Sequence, residues 1–415
     1  MSATEWVSDQ AVQRRSDMPA LWLVVIATSF NFMLSFANAR GIGVSGTHVQ
    51  IVQLAVTGLA LAMTLLRGGP AVPLAFPILI ALFLFLCGVA GFAAGSSDIK
   101  TIYDVLLLCT FIALGSTLRR VPLRFLNLVL GLAAVVALFE YFFATAYTQL
   151  VDPLGYFGNT RAWVAAALGD TFTEGAGLAI STIRGGGESW LGLSTTGHRV
   201  GGIFLEPLSQ GYFAAILAIF YCFHFRDDFW RRTLACLVCL MLALISDTRV
   251  AVLLIGFFYL AAPVARRLPP QLAYFIPIAG LAAGLLTYAT LTLGDSTSEF
   301  VFRMSLTFDT LLKSPLYNVL SGGVDLTFAA DSGIVTLLSR AGLLGLLVFF
   351  VVCSGLASMQ RREPMVLILV VIYLFVTAMF GAAFLSIKSA AILGLLIGAV
   401  GTGAFAPGFS AERRR

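Results

Sequence analysis

Charged side chains are so sparse in this 415-residue sequence that the few beside long apolar runs stand out. One group is Arg199-Val-Gly-Gly-Ile-Phe-Leu-Glu206-Pro207-Leu-Ser-Gln-Gly211, which leads into such a run. A guanidinium at a helix mouth suits phosphate oxygens, because its planar fork of donors engages two of them at once. On a continuous helix Glu206 would lie roughly 10 Å deeper than Arg199. A carboxylate there is costly alone and must meet a cation or a wet cavity. Pro207 lacks a backbone N–H and is expected to kink the helix. Glu206 is therefore open to two readings, a general base or a salt-bridged carboxylate holding two helices together.

Two further groups have the same character. Ser246-Asp247-Thr248-Arg249 separates two apolar runs, and a short turn there would aim Arg249 at the same mouth. The plainer alternative is a local Asp247–Arg249 pair ending one helix and starting the next. Asp331-Ser-Gly-Ile-Val-Thr-Leu-Leu-Ser-Arg340-Ala-Gly342-Leu-Leu-Gly345 opens another run. Asp331 is placed either to cap that helix or to act as a base, and Arg340 must face protein or water. Gly342 and Gly345 are expected to allow close helix packing.

The elements that must position these residues follow from composition. Hydrophobic residues make up 59% of the chain and charged ones only 11%, against about 45–50% and about 25% in soluble domains. So few charges cannot cover the surface of a soluble 44.3 kDa protein, which excludes a cytosolic enzyme, a secreted domain and a disordered chain. The composition implies an all-α, polytopic integral membrane bundle forming a single membrane domain over residues 1–415. The net charge of +5 is read as loop asymmetry and not as nucleic-acid binding. All six cysteines lie in or at the ends of apolar runs. Cys236 and Cys239 spell C-x-x-C without a second ligand pair, so no metal is expected. No cleavable signal peptide is expected, because the first apolar run follows a polar stretch and has no small-residue cleavage site.

With about 20 residues per span, apolar runs predict about 12 transmembrane helices. They fall near 20–38, 49–67, 74–95, 101–118, 123–147, 203–225, 233–247, 249–265, 272–293, 332–357, 365–381 and 383–404. Placing both termini in the cytoplasm puts 16 of the 26 lysines and arginines on that side, with every second loop basic, as the positive-inside rule requires. The two long loops, 148–199 and 294–331, then face outward, and chemistry or recognition is expected there. Trp163, Trp190 and Tyr156 in the first are candidate recognition residues, although interfacial aromatics have the same composition. Glu140 and Asp104 are expected to be helix-packing partners. There is no phosphate-binding G-x-x-x-x-G-K-[ST] segment and no repeat symmetry of the kind secondary transporters show.

The R-x-x-G-x-F-x-x-P-x-x-x-G pattern from Arg199 to Gly211 resembles a signature of the O-antigen polymerase and O-antigen ligase superfamily. So do the Thr248-Arg249 step and the long outer loop ending in a helix with Gly342-Leu-Leu-Gly345. Span number, topology and loop placement extend the resemblance over most of the chain. It implies a glycosyltransferase of the bacterial inner membrane that needs no metal or other cofactor and works at the periplasmic face. The donor would be an oligosaccharide on undecaprenyl diphosphate. A chain-length regulator and a flippase would be partners, in addition to membrane lipid, and nucleic acid would not. By the same resemblance Arg199 and Arg249 would hold the donor diphosphate; the chemistry would add Arg340 as a further cation, Asp331 or Glu206 as base, and Trp163, Trp190 and Tyr156 to stack on sugar rings. The ligase branch has a His where this chain has Asp331, which favours a Wzy-type polysaccharide polymerase making O-antigen, capsule or exopolysaccharide. The alternatives are the ligase, transferring polymer to lipid A-core, and a lipid-linked oligosaccharide flippase or other secondary transporter.

Overall fold

The computed structural model describes residues 3–94, 99–161, 164, 198–291, 299–326, 332–359, 363–381 and 385–407. All regular elements among them are helical. The first seven are α1 (Ala3–Ala39), α2 (Gly46–Leu66), α3 (Ala75–Ala94), α4 (Ile99–Ser116), α5 (Leu123–Phe142), α6 (Ala144–Val151) and α7 (Pro153–Thr160). After a 3-10 turn at Gly202–Phe204 come α8 (Pro207–His224), α9 (Phe229–Ile245), α10 (Arg249–Ala265) and α11 (Leu272–Leu291). The last five are α12 (Glu299–Lys313), α13 (Leu316–Ser321), α14 (Gly333–Cys353), α15 (Pro364–Phe380) and α16 (Ile387–Thr402).

Each of the twelve apolar runs contains one of these helices. Six are long and apolar enough to cross a membrane: Asp17–Ala39, Gly46–Leu66, Ala75–Phe92, Leu123–Phe142, Leu272–Thr290 and Gly333–Cys353. Four shorter apolar helices accompany them, at Ile102–Ser116, Arg249–Ala265, Pro364–Phe380 and Ile387–Thr402.

Two expectations need correction. The run at 123–147 is not one helix: α5 ends at Phe142, Phe143 leaves helical geometry (φ −130°, ψ 49°), and α6 starts at Ala144. The long segments are also partly helical. Segment 148–199 begins within α6 and continues into α7, where Asp152 in the left-handed region (φ 45°) turns the chain and its carboxylate accepts from Gly155 N at 3.1 Å. Segment 294–331 contains α12 and α13. In α12 the apolar side chains recur at helical spacing, and Met304 and Phe308, four residues apart, are buried.

The core is built around α8, α15 and α16, which are buried along nearly their whole lengths. α16 lies closest to α4, where Gly394-x-x-x-Gly398 meets the backbone of Leu108–Ser116 and Gly115 meets Leu395 in return. Small residues let two backbones approach this closely. Around the core, α2, α3 and α11 expose large apolar side chains such as Leu66, Phe92 and Leu286.

Gly342 is more than a packing glycine. It breaks α14 with φ 67° and ψ −178°, a conformation that L side chains rarely adopt. The Ser339 carbonyl at the kink accepts from Gly323 N at 2.7 Å, so the segment after α13 satisfies it. A Cβ at Gly342 would also overlap the Leu320 carbonyl.

Candidate functional site

At one end of the bundle, the segment from Arg199 to Gly211 does not form the continuous helix expected from sequence. The chain makes a knuckle: Gly202 (φ 54°), the first residue of the 3-10 turn, and Leu205 (φ 59°), just after it, have positive φ. Glu206 is then extended (φ −131°, ψ 119°), and α8 starts at Pro207. Pro207 therefore initiates a helix and does not kink one. At the first helical position its missing N–H costs nothing, and it holds the preceding residue extended.

Glu140 of α5 holds the knuckle. Its carboxylate, 1% exposed as a residue, accepts from Gly201 N at 3.1 Å and from Gly202 N at 2.5 Å. Tyr147 of α6 donates to Gly202 O at 2.7 Å. Glu140 thus acts in packing, as expected, but on backbone amides of the knuckle. Asp104 pairs with Lys100 one turn away, at 3.4 Å. Because Glu140→Gln replaces one acceptor oxygen with an NH2 donor beside the aimed N–H groups of Gly201 and Gly202, it is expected to destabilise the protein by about 2 kcal/mol. A thermal-unfolding midpoint equal to wild type would remove this role.

The knuckle delivers Glu206 to two cations. Lys388, near the start of α16 and 2% exposed, donates to Glu206 Oε2 at 2.8 Å and to Phe204 O at 2.8 Å. Arg161, just after α7, pairs with Glu206 Oε1. Ser209 Oγ adds a bond to Oε2 at 3.1 Å. The Arg161 guanidinium also lies over the Phe157 ring, 4.3 Å from its centroid, which fixes its direction. Both Glu206 oxygens are thus engaged by cationic donors, and two cations against one carboxylate leave the cluster net positive. This geometry suits holding an anion better than removing a proton.

The other two segments separate here. Ser246–Arg249 packs directly on the entry to α8: Thr248 Oγ1 donates to Pro207 O at 3.0 Å, and a Cβ at Gly211 would overlap the Thr248 side chain. Arg199 donates from Nε to Ser246 O at 3.3 Å and from its terminal nitrogen to Asp247 O at 3.4 Å. It thereby caps the C-terminus of α9, where a cation meets the negative end of the helix dipole. Arg249 is exposed at the first position of α10. Arg199, Arg249 and Glu206 are therefore brought to one end of the bundle. Arg340 lies eight residues into α14, which packs chiefly against α3 and α13.

Asp331, Trp163 and Trp190 lie outside the described residues. The cap of α14 is Ser332, whose Oγ accepts from Val335 N at 3.4 Å, and not Asp331. Tyr156 is described but buried, with its hydroxyl donating to Asn31 Oδ1 at 2.8 Å. It supports α7 against α1 and offers no open ring face for a sugar. Cys236 and Cys239 lie inside α9, and Cys236 Sγ is 3.6 Å from Cys222 Sγ. Among the described residues no three His, Cys, Asp or Glu side chains converge as metal ligands.

Sequence reasoning missed Lys388 and Arg161 as site residues. For Lys388 a signal existed, since a lysine inside an apolar run demands a partner. For Arg161 there was none, as it sits in a polar segment.

The architecture is that of an all-helical bundle built for an apolar surrounding, with a compact ionic cluster at one end. No family model matches the chain, and neither a curated protein nor a solved structure matches it.

Proposed function

We propose that this chain is an integral-membrane glycosyltransferase of the polysaccharide polymerase type, with Arg199, Glu206 and Arg249 at its outward-facing end. In this reading, all twelve helix-bearing apolar runs span the bacterial inner membrane and both termini are cytoplasmic. The observation that carries the reading is the meeting of two motif-bearing segments, 199–211 and 246–249, with Arg161 and Lys388 at one end of the bundle.

The chemistry follows from that assembly. The donor is an oligosaccharide on a polyprenyl diphosphate. The bond between its anomeric carbon and the diphosphate breaks, and the hydroxyl oxygen of an acceptor sugar forms the new glycosidic bond. The diphosphate leaves as an anion, and arginines stabilise its developing charge. The hydroxyl proton goes to a carboxylate, for which we propose Asp331, because both oxygens of Glu206 already serve cations.

The test uses purified protein with lipid-linked repeat units. Arg249→Ala, an exposed change, is expected to shorten polymer and lower turnover about tenfold or more. Asp331→Asn is expected to abolish turnover while retaining donor binding. Long polymer made at the wild-type rate by both variants, at equal protein level, would overturn the reading.

A further inference from the structure

We infer that the end of the bundle opposite Glu206 binds the headgroup of an anionic phospholipid in the groove between α9 and α10. This inference rests on membrane embedding and does not depend on the polymerase reading. α8 runs from Pro207, next to Glu206, to His224, so the following segment and the start of α9 lie roughly 27 Å from the cluster. The C-terminus of α10 returns to this same end. Here the segments bearing Arg226, Arg231, Arg232, Arg266 and Arg267 carry two aspartates, Asp227 and Asp228. Asp227 pairs with Arg226 at 3.3 Å and with Arg266 at 3.0 Å, and Asp228 pairs with Arg231 at 3.3 Å.

Arg232 is treated differently. It forms no ion pair with the described residues, and its buried Nε has no hydrogen-bond partner among them. Its guanidinium instead lies against two rings that touch each other, 5.1 Å from the centroid of Tyr259 on α10 and 5.9 Å from that of Phe229 on α9. Thr233 Oγ1 and the Tyr259 hydroxyl, 2.8 Å apart, tie the two helices together beside it. A cation oriented by aromatic faces keeps its fork of donors for a further acceptor.

What lies beyond the arginines specifies the acceptor. On α9, Trp230, Leu234 and Leu237 are 78%, 66% and 54% exposed, at the i, i+4, i+7 spacing of one face. On α10, Phe257, Leu260 and Val264 form a second exposed apolar stripe. A net-positive head region continuous with two apolar stripes matches an amphiphile with an anionic head and two acyl chains. It does not match a nucleic acid or an acidic peptide. Interfacial Trp beside clustered Arg is the composition expected of such a site.

The full chain, purified in neutral detergent, is titrated with phosphatidylglycerol and with phosphatidylcholine of identical chains, and bound lipid is counted by native mass spectrometry. Wild type is expected to retain phosphatidylglycerol preferentially, and Arg232→Gln to retain it about fivefold less tightly, the effect of removing one charge beside an anionic head. Arg40→Gln, which removes an exposed guanidinium stacked on Phe36 at the other end of the bundle, is expected to change nothing. Equal retention of the two lipids by wild type would overturn the inference even if Arg232→Gln fails to fold. So would unchanged phosphatidylglycerol binding in a folded Arg232→Gln protein, or its displacement by inorganic phosphate at equal concentration.

Discussion

Lys388→Met is expected to destabilise the protein by on the order of 3 kcal/mol, because it leaves a largely buried carboxylate short of one of its two cations. Lys388 is itself 2% exposed and donates to both Glu206 Oε2 and Phe204 O. Methionine fills a similar volume, so the loss is electrostatic and not a cavity. The Phe204 carbonyl loses a donor at the same time, which loosens the knuckle that presents Glu206. Thermal unfolding of detergent-purified protein measures the effect. The double variant Lys388→Met with Glu206→Gln is expected to recover at least half of the loss, because removing both charges of a buried pair is far less costly than removing one. Simple additivity of the two single effects would mean that the pair is not coupled, and the cluster would lose its organising role.

Gly398→Leu carries the other large expected effect. At the α4–α16 contact a Cβ at Gly398 would overlap the Ile112 carbonyl and lie 2.7 Å from Ser116 N. These neighbours are backbone atoms of a packed helix, which cannot turn aside as a side chain can. Overpacking in an interior typically costs about 1–3 kcal/mol, and a branched side chain driven into backbone belongs at or above the upper end. The expected result is a protein that is lost from the membrane fraction or unfolds at markedly lower temperature. Gly256→Leu on α10, where nothing lies within 4 Å of the added Cβ, is expected to be tolerated. Equal yields of the two variants would show that α4 and α16 do not depend on this approach.

The link between the predictions is that α16 carries both Gly398 and Lys388. Its glycines seat it on α4, and that seating brings Lys388 beneath the knuckle. Forcing α16 outward should therefore disturb the Glu206 cluster as well as the core.

Much of the helical plan was readable from the chain. Each of the twelve apolar runs located a helix, because the need to bury or to face lipid is a property of a run of neighbouring residues. The irregular places were harder. Pro207 was read as a kink inside a span, although a proline after an extended residue is as well suited to starting a helix. The kink fell instead at Gly342, where a positive φ is supported by a segment some twenty residues earlier, through Gly323. The helices of the two long segments were passed over because their apolar residues are interspersed with Ser, Thr, Asp and Gly.

The site shows the same division. Arg199, Glu206 and Arg249 stood out because charge is rare in this composition, and all three lie at one end of the bundle. Their partners did not stand out. Glu206 is 45 residues from Arg161 and 182 from Lys388, and Tyr156 is turned inward onto Asn31 across 125 residues. By itself the sequence determined that the chain is helical, apolar and short of charge, since those are sums over local residues. Only the tertiary structure decided which charge answers which, because an ion pair depends on the distance between helices, and that distance is set by where glycines allow their backbones to touch.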